Sequence, residues 1–170
     1  IKPLHTLQGA SLPWENRNLL MFSDYVGDEE KSESYVFFYD FIQKKLTNMF
    51  RIQEANATNL DFCKENGYLA YTAGDHLYIA NHGDFSTAVS PHPTGVKEID
   101  NDIVYGQAVH RNEFGIYKGT FWSPKGNCLA FYRMDQSMVT AYPQVNTTTR
   151  IATLEPDKYP MAGMTSHKVT

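Results

Sequence analysis

Serine, aspartate and histidine all occur in this 170-residue chain, yet no Gly-x-Ser-x-Gly run sets a serine on the strained turn that a hydrolase nucleophile uses. The chain is therefore not expected to cut a bond by itself. His76, His82 and His92 lack metal-ligand spacing, and Cys63 and Cys128 belong to no Cys-x-x-Cys pair, so no metal or cofactor is expected. The two thiols read as small buried hydrophobes, and nothing in their placement supports a disulfide between them. Arg133 and Asp135 alternate along a strand-like stretch and share a face. That pattern suits an ion pair or sheet-to-sheet hydrogen bonding, and also a pair lining a substrate chamber. Glu113 stands in a polar loop with His110, Arg111 and Asn112. Residue type alone makes it a solvated surface glutamate.

The elements that position these groups follow from a segment written nearly twice. Phe62-Cys63-Lys64-Glu65-Asn66-Gly67-Tyr68-Leu69-Ala70-Tyr71 aligns without a gap on Trp122-Ser123-Pro124-Lys125-Gly126-Asn127-Cys128-Leu129-Ala130-Phe131. Each copy is an aromatic strand end, a tight turn with Gly and Asn, and an alternating apolar strand. A fixed-period repeat of short strands indicates a propeller or solenoid. A few blades are seldom a whole protein, so the chain reads as a piece of a larger one.

Other strands are predicted at residues 18–23, 35–40 and 46–52, with a solvated loop over 24–34 and a turn at 41–45. A helix over 40–49 is the competing assignment, weakened by Thr47, Asn48 and the aromatic run before them. In the first copy, strands fall near 59–63, 68–73 and 76–80. The dipeptides Asn66-Gly67 and Gly74-Asp75 suit two-residue primed hairpin turns. Residues 84–95 read as irregular, 96–99 and 103–105 as short strands, and 108–118 as a loop. The second copy runs over 120–139, a polar, proline-containing arm comes next, and 166–170 resumes a strand pattern.

Composition agrees with an all-β chain, with 14% aromatic residues led by 11 Tyr and 10 Phe. A net charge of −4 leaves no basic footprint for nucleic acid. No apolar run approaches the ~20 residues of a membrane span. The start, Ile1-Lys2-Pro3-Leu4-His5, carries no signal-peptide pattern.

The stretch from Tyr105-Gly106-Gln107 through Asn112-Glu113-Phe114-Gly115-Ile116 leads into Gly119-Thr120-Phe121-Trp122-Ser123-Pro124, then Arg133-Met134-Asp135-Gln136-Ser137 and Tyr159-Pro160-Met161-Ala162-Gly163. This order of elements closely resembles the propeller of the dipeptidyl peptidase IV family, and within it the bacterial prolyl tripeptidyl peptidases. The resemblance covers the chain from about Asn18 onward. It implies a partial β-propeller, a few blades of an eight-bladed one, divided at about 18–56, 57–105 and 106–139 onward, with an extension arm over 140–163. It also implies a parent serine exopeptidase whose α/β-hydrolase domain lies outside this chain. The parent would act on peptides with a free amino terminus and a proline, and would be exported, periplasmic or surface-held.

By the same resemblance Glu113 occupies the position that holds the substrate's amino terminus. Arg111, Asn112, Arg133 and Asp135 would support it or line the chamber. The dipeptidyl-specific relatives carry two adjacent glutamates where this chain has Arg111-Asn112-Glu113. They also use an arginine from an earlier loop, and the matching Asp28-Glu29-Glu30-Lys31 has none. Both departures fit release of tripeptides rather than dipeptides. The arm resembles an extension that relatives use for dimer contacts, so a homodimer is expected. The competing reading is a non-enzymatic propeller that binds proteins or glycans, since one fold hosts many functions.

Overall fold

The computed structural model describes residues 18–28, 31–52, 57–81, 87–88, 102–109 and 114–170, and among these no α-helix occurs. Two compact units emerge, one formed by Ile1–His92 with Thr120–Ala130 and the other by Pro93–Gly119 with Phe131–Thr170.

The first unit opens with β1 (Leu19–Asp28), β2 (Lys31–Asp40) and β3 (Lys45–Ile52), an antiparallel sheet in that order. The β1–β2 register runs unbroken from Leu19↔Asp40 to Asp28↔Lys31. The loop predicted over 24–34 is therefore mostly strand. A ladder is made by backbone groups, so a polar stretch already in register continues to pair. At the β2–β3 turn the Asp40 carboxylate accepts the Ile42 and Gln43 N–H groups, each at 2.8 Å. That cap fixes a hairpin where the helix was the alternative.

The second sheet has the order β4 (Thr58–Cys63), β5 (Tyr68–Ala73), β6 (His76–Ala80) and β7 (Thr87–Ala88). β7 falls in the stretch read as irregular. Gly74-Asp75 is a two-residue turn, with positive φ (56°) at the glycine alone. Asn66-Gly67 is not. Four residues separate β4 from β5, Gly67 alone takes positive φ (72°), and its N–H donates to the Cys63 carbonyl at 2.9 Å. Asn66 instead uses its side chain, whose Oδ1 accepts the Tyr68 N–H.

The core of this unit lies between the two sheets. Alternation along β2 turns Val36 and Phe38 inward, and Leu69, Tyr71 and Ala73 of β5 join them in one cluster. The Phe38 ring lies 4.3 Å from Phe62 and meets Phe50 edge-on at 5.8 Å. β5 is buried on both faces, so Thr72 needs internal partners. Its hydroxyl receives the Asn59 side-chain N–H at 2.7 Å and meets the Thr58 hydroxyl at 3.1 Å.

β9 (Thr120–Trp122) and β10 (Leu129–Phe131) form a two-stranded sheet from the second sequence copy. The copies touch directly. Thr120 donates its hydroxyl to Asp61 Oδ2 at 2.7 Å, and the Trp122 indole N–H reaches the Asp61 carbonyl at 3.1 Å. The Asn66 amide donates to the Gly126 carbonyl.

In the second unit β8 (Ile103–Tyr105), β11 (Arg133–Asp135) and β16 (Lys168–Val169) form an antiparallel sheet with β11 central. The arm is a paired ladder rather than extended chain. β12 (Ala141–Tyr142) pairs with β15 (Asp157–Lys158), and β13 (Val145–Asn146) with β14 (Thr153–Leu154). Lys158 holds the arm's base, lying 3.2 Å from Asp102 and donating to the Val139 carbonyl. The strand expected at 96–99 lies outside the described residues.

Candidate functional site

The two ends of the segment between β8 and β9 meet at one residue. Tyr105 ends β8 and Gly106 turns the chain with φ 69°. The Gly106 N–H donates to the Tyr132 carbonyl at 2.8 Å, and the Tyr132 N–H donates to the Gly119 carbonyl at 2.9 Å. One residue, Tyr132, thus ties both ends of the segment through its backbone. Gly119 is buried there, and a Cβ built on it would stand 2.6 Å from the Gly106 carbonyl carbon and closer still to the Gln107 carbonyl. The described ends of this segment, Gly106-Gln107 and Gly119, therefore meet too closely for a side chain at Gly119.

Glu113, Arg111 and Asn112 belong to this loop by sequence and lie outside the described residues, as does His110. The loop's far side is described. Phe114, next after Glu113, has φ 57°, and Gly115 comes after it at 73°. A left-handed backbone at a bulky residue costs about 1–2 kcal/mol, and such strain concentrates at functional positions. Phe114 and Tyr117 are 84% and 75% exposed, so the loop presents two large aromatic faces outward.

Arg133 and Asp135 flank Met134 on β11, opposite Tyr105 and Ile103 of β8. The Asp135 carboxylate is committed locally: Oδ1 accepts the Ser137 N–H at 2.9 Å. Hydrogen bonds from the Ser137 side chain and backbone lower its pKa, desolvation opposes them, and the charges of Arg133 and Lys168 lower it further. Arg133 exchanges backbone hydrogen bonds with Thr170 and adjoins Tyr132, the residue that ties those two ends.

Cys63 is buried and Cys128 exposed, and both are free thiols. Among the described residues no cluster of His, Cys, Asp and Glu could hold a metal ion, and no helix is long and apolar enough to cross a membrane. This close approach has little signature in the sequence. Its only trace there is Gly106 and Gly119 bracketing a polar loop.

Small antiparallel sheets, with the two sequence copies in contact at their turns, define a partial β-propeller. Residues 16–170 match the family described as the dipeptidyl peptidase IV (DPP IV) N-terminal region, and the chain belongs to that family. It is similar to a solved Bacteroides ovatus protein described provisionally as a dipeptidyl aminopeptidase IV, at 42% identity and a TM-score of 0.66. The match covers 94% of this chain and 20% of that protein.

Proposed function

We propose that the chain is the substrate-gating, amino-terminus-recognising part of a serine exopeptidase that releases Xaa-Xaa-Pro tripeptides, or Xaa-Pro dipeptides, from peptide amino termini. The observation that carries this reading is a strained and exposed Phe114, the residue next in sequence to Glu113, in a member of the DPP IV N-terminal region family. An α-amino group has a pKa of about 7.7–8.0 and is mostly cationic at neutral pH. A partly desolvated carboxylate grips it by a charge-assisted hydrogen bond. Fixing that amine fixes how many residues reach the nucleophile, which distinguishes an exopeptidase from an endopeptidase.

The chemistry belongs to an α/β-hydrolase domain outside this chain. A serine there would attack the carbonyl after proline, with a histidine moving the proton and water hydrolysing the acyl-enzyme. Arg111 and Asn112, in place of a second glutamate, favour the longer tripeptide subsite. The parent would be an exported or surface-held homodimer. The arm, with Val145, Ile151 and Leu154 more than half exposed, is the contact surface proposed for that dimer.

The test is kinetic, on the full-length protein with free-amine tripeptidyl-proline, dipeptidyl-proline and amino-blocked chromogenic substrates. Hydrolysis of the first and refusal of the last are expected. Glu113→Gln should lower kcat/KM by an amount equivalent to about 2–5 kcal/mol with folding intact. Unchanged kinetics in that variant would remove the anchor assignment.

A further inference from the structure

We propose that the Asn66-Gly67 turn is a covalent modification site, a deamidation site that the contact with Gly126 holds shut. It is the one Asn-Gly pair in the sequence. Asparagine before glycine meets least hindrance in this reaction, because the attacking nitrogen belongs to a residue without a side chain. The Gly67 backbone nitrogen attacks the Asn66 side-chain carbon Cγ and forms a C–N bond. The Asn66 amide nitrogen leaves as ammonia, carrying off the proton that the Gly67 nitrogen gives up, and a succinimide ring remains. Water then opens the ring at either carbonyl and yields aspartate or isoaspartate. Asn66 and Gly67 are both half-buried, so water has access to the turn.

The structure holds each reacting group. The Gly67 N–H is donated to the Cys63 carbonyl at 2.9 Å, which occupies the nucleophile. Asn66 Nδ2, the leaving group, donates to the Gly126 carbonyl. Asn66 Oδ1 accepts the Tyr68 N–H at 2.8 Å, which draws electron density from Cγ and exposes it to attack. The turn is thus primed at the carbon and restrained at the nucleophile and the leaving group. Only the restraint from Gly126 comes from the other sequence copy, so parting of the two turns is what frees the amide. The product cannot restore the contact. A carboxylate at 66 has no N–H to give, and it would set an acceptor against the Gly126 carbonyl. Opening followed by reaction is therefore one-way, the route by which chemically altered chains accumulate from transient openings. The second copy reads Gly126-Asn127-Cys128, the reverse order, and offers a hindered partner at the same turn.

The experiment follows the full-length protein at mildly alkaline pH, with peptide mapping by mass spectrometry and an isoaspartate assay. Asn66 is expected to react at least about 10-fold more slowly in the folded protein than in denaturant, because reaction must pass through local opening. Gly126→Ala adds a Cβ that would stand 2.8 Å from the Cys63 sulfur and so parts the turns. It should raise the folded rate at Asn66 by about 3- to 10-fold, with Asn127 unchanged and unfolding still cooperative. If Gly126→Ala does not fold, Thr120→Val removes the 2.7 Å bond to Asp61 and loosens the same packing, with the same direction expected. Asn66→Asp should lower the unfolding midpoint, and aged wild-type protein should acquire the same shift. Equal rates in folded and unfolded protein would overturn the proposal. So would a slow folded rate that neither loosening variant changes, since protection would then lie in the turn's own bonds and not in Gly126.

Discussion

Asp135 shows how a single side chain answers to its neighbours. Its carboxylate faces solvent yet titrates low, because the Ser137 hydroxyl and N–H both donate to it and the Arg133 and Lys168 charges favour the ionised form. The folded chain therefore holds this proton less tightly than the unfolded one. The resulting support for folding is present at neutral pH and fades as pH falls through the lowered value. A side-chain carboxyl NMR titration should place Asp135 below ordinary aspartates, and Ser137→Ala should shift it upward without restoring the ordinary value, since the Ser137 N–H remains. An unshifted Asp135 would mean that the turn does not persist in solution. Alternation in the sequence places Arg133 and Asp135 on one face. It could not show that the carboxylate would be taken up by a turn two residues on.

At the scale of elements, the hairpins around 35–52 and 68–80 were legible because alternation, aromatic content and turn residues agree there. The outer half of the β1–β2 hairpin was not, because Asp24, Ser32, Glu33 and Ser34 read as a solvated loop while the pairing is made by backbone. The close approach of Gly106 and Gly119 was invisible for another reason. It depends on Tyr132, which is distant in sequence and carries no signal in its side chain. Contacts between the sequence copies were equally hidden, although the copies themselves were plain. The Asp61–Thr120 bond is the one to break: Thr120 is only 2% exposed, and its hydroxyl is 2.7 Å from the Asp61 carboxylate. Asp61→Ala strands that hydroxyl away from water and should destabilise the chain by about 1–3 kcal/mol in denaturant unfolding. A loss within error would show that water or another group replaces the carboxylate.

For the molecule as a whole, the sheets are small and the arm exposes apolar side chains, with Ile151 80% and Leu154 65% accessible. Unpaired strand edges and apolar ladders are templates for association. The 170-residue polypeptide by itself is expected to be oligomeric in light scattering at tens of micromolar. Serine at Val145, Ile151 and Leu154 together should shift it toward smaller species if the arm is the contact. A monodisperse monomer would exclude both the edges and the arm as interfaces under those conditions.

The packing of the two turns has a consequence for how such an array is written. Asn66 and Gly126 are 60 residues apart, the same column of the duplicated segment, and they touch. A Cβ on Gly126 would come within 2.8 Å of the Cys63 sulfur and 3.0 Å of the Glu65 Cβ. One copy must therefore contribute an amide there while its neighbour contributes bare backbone. Two copies both carrying asparagine would collide at this column and two both carrying glycine would lose the amide bond, so this contact needs the copies to differ. It gives the stack a direction, because the amide-bearing turn and the bare one cannot exchange places.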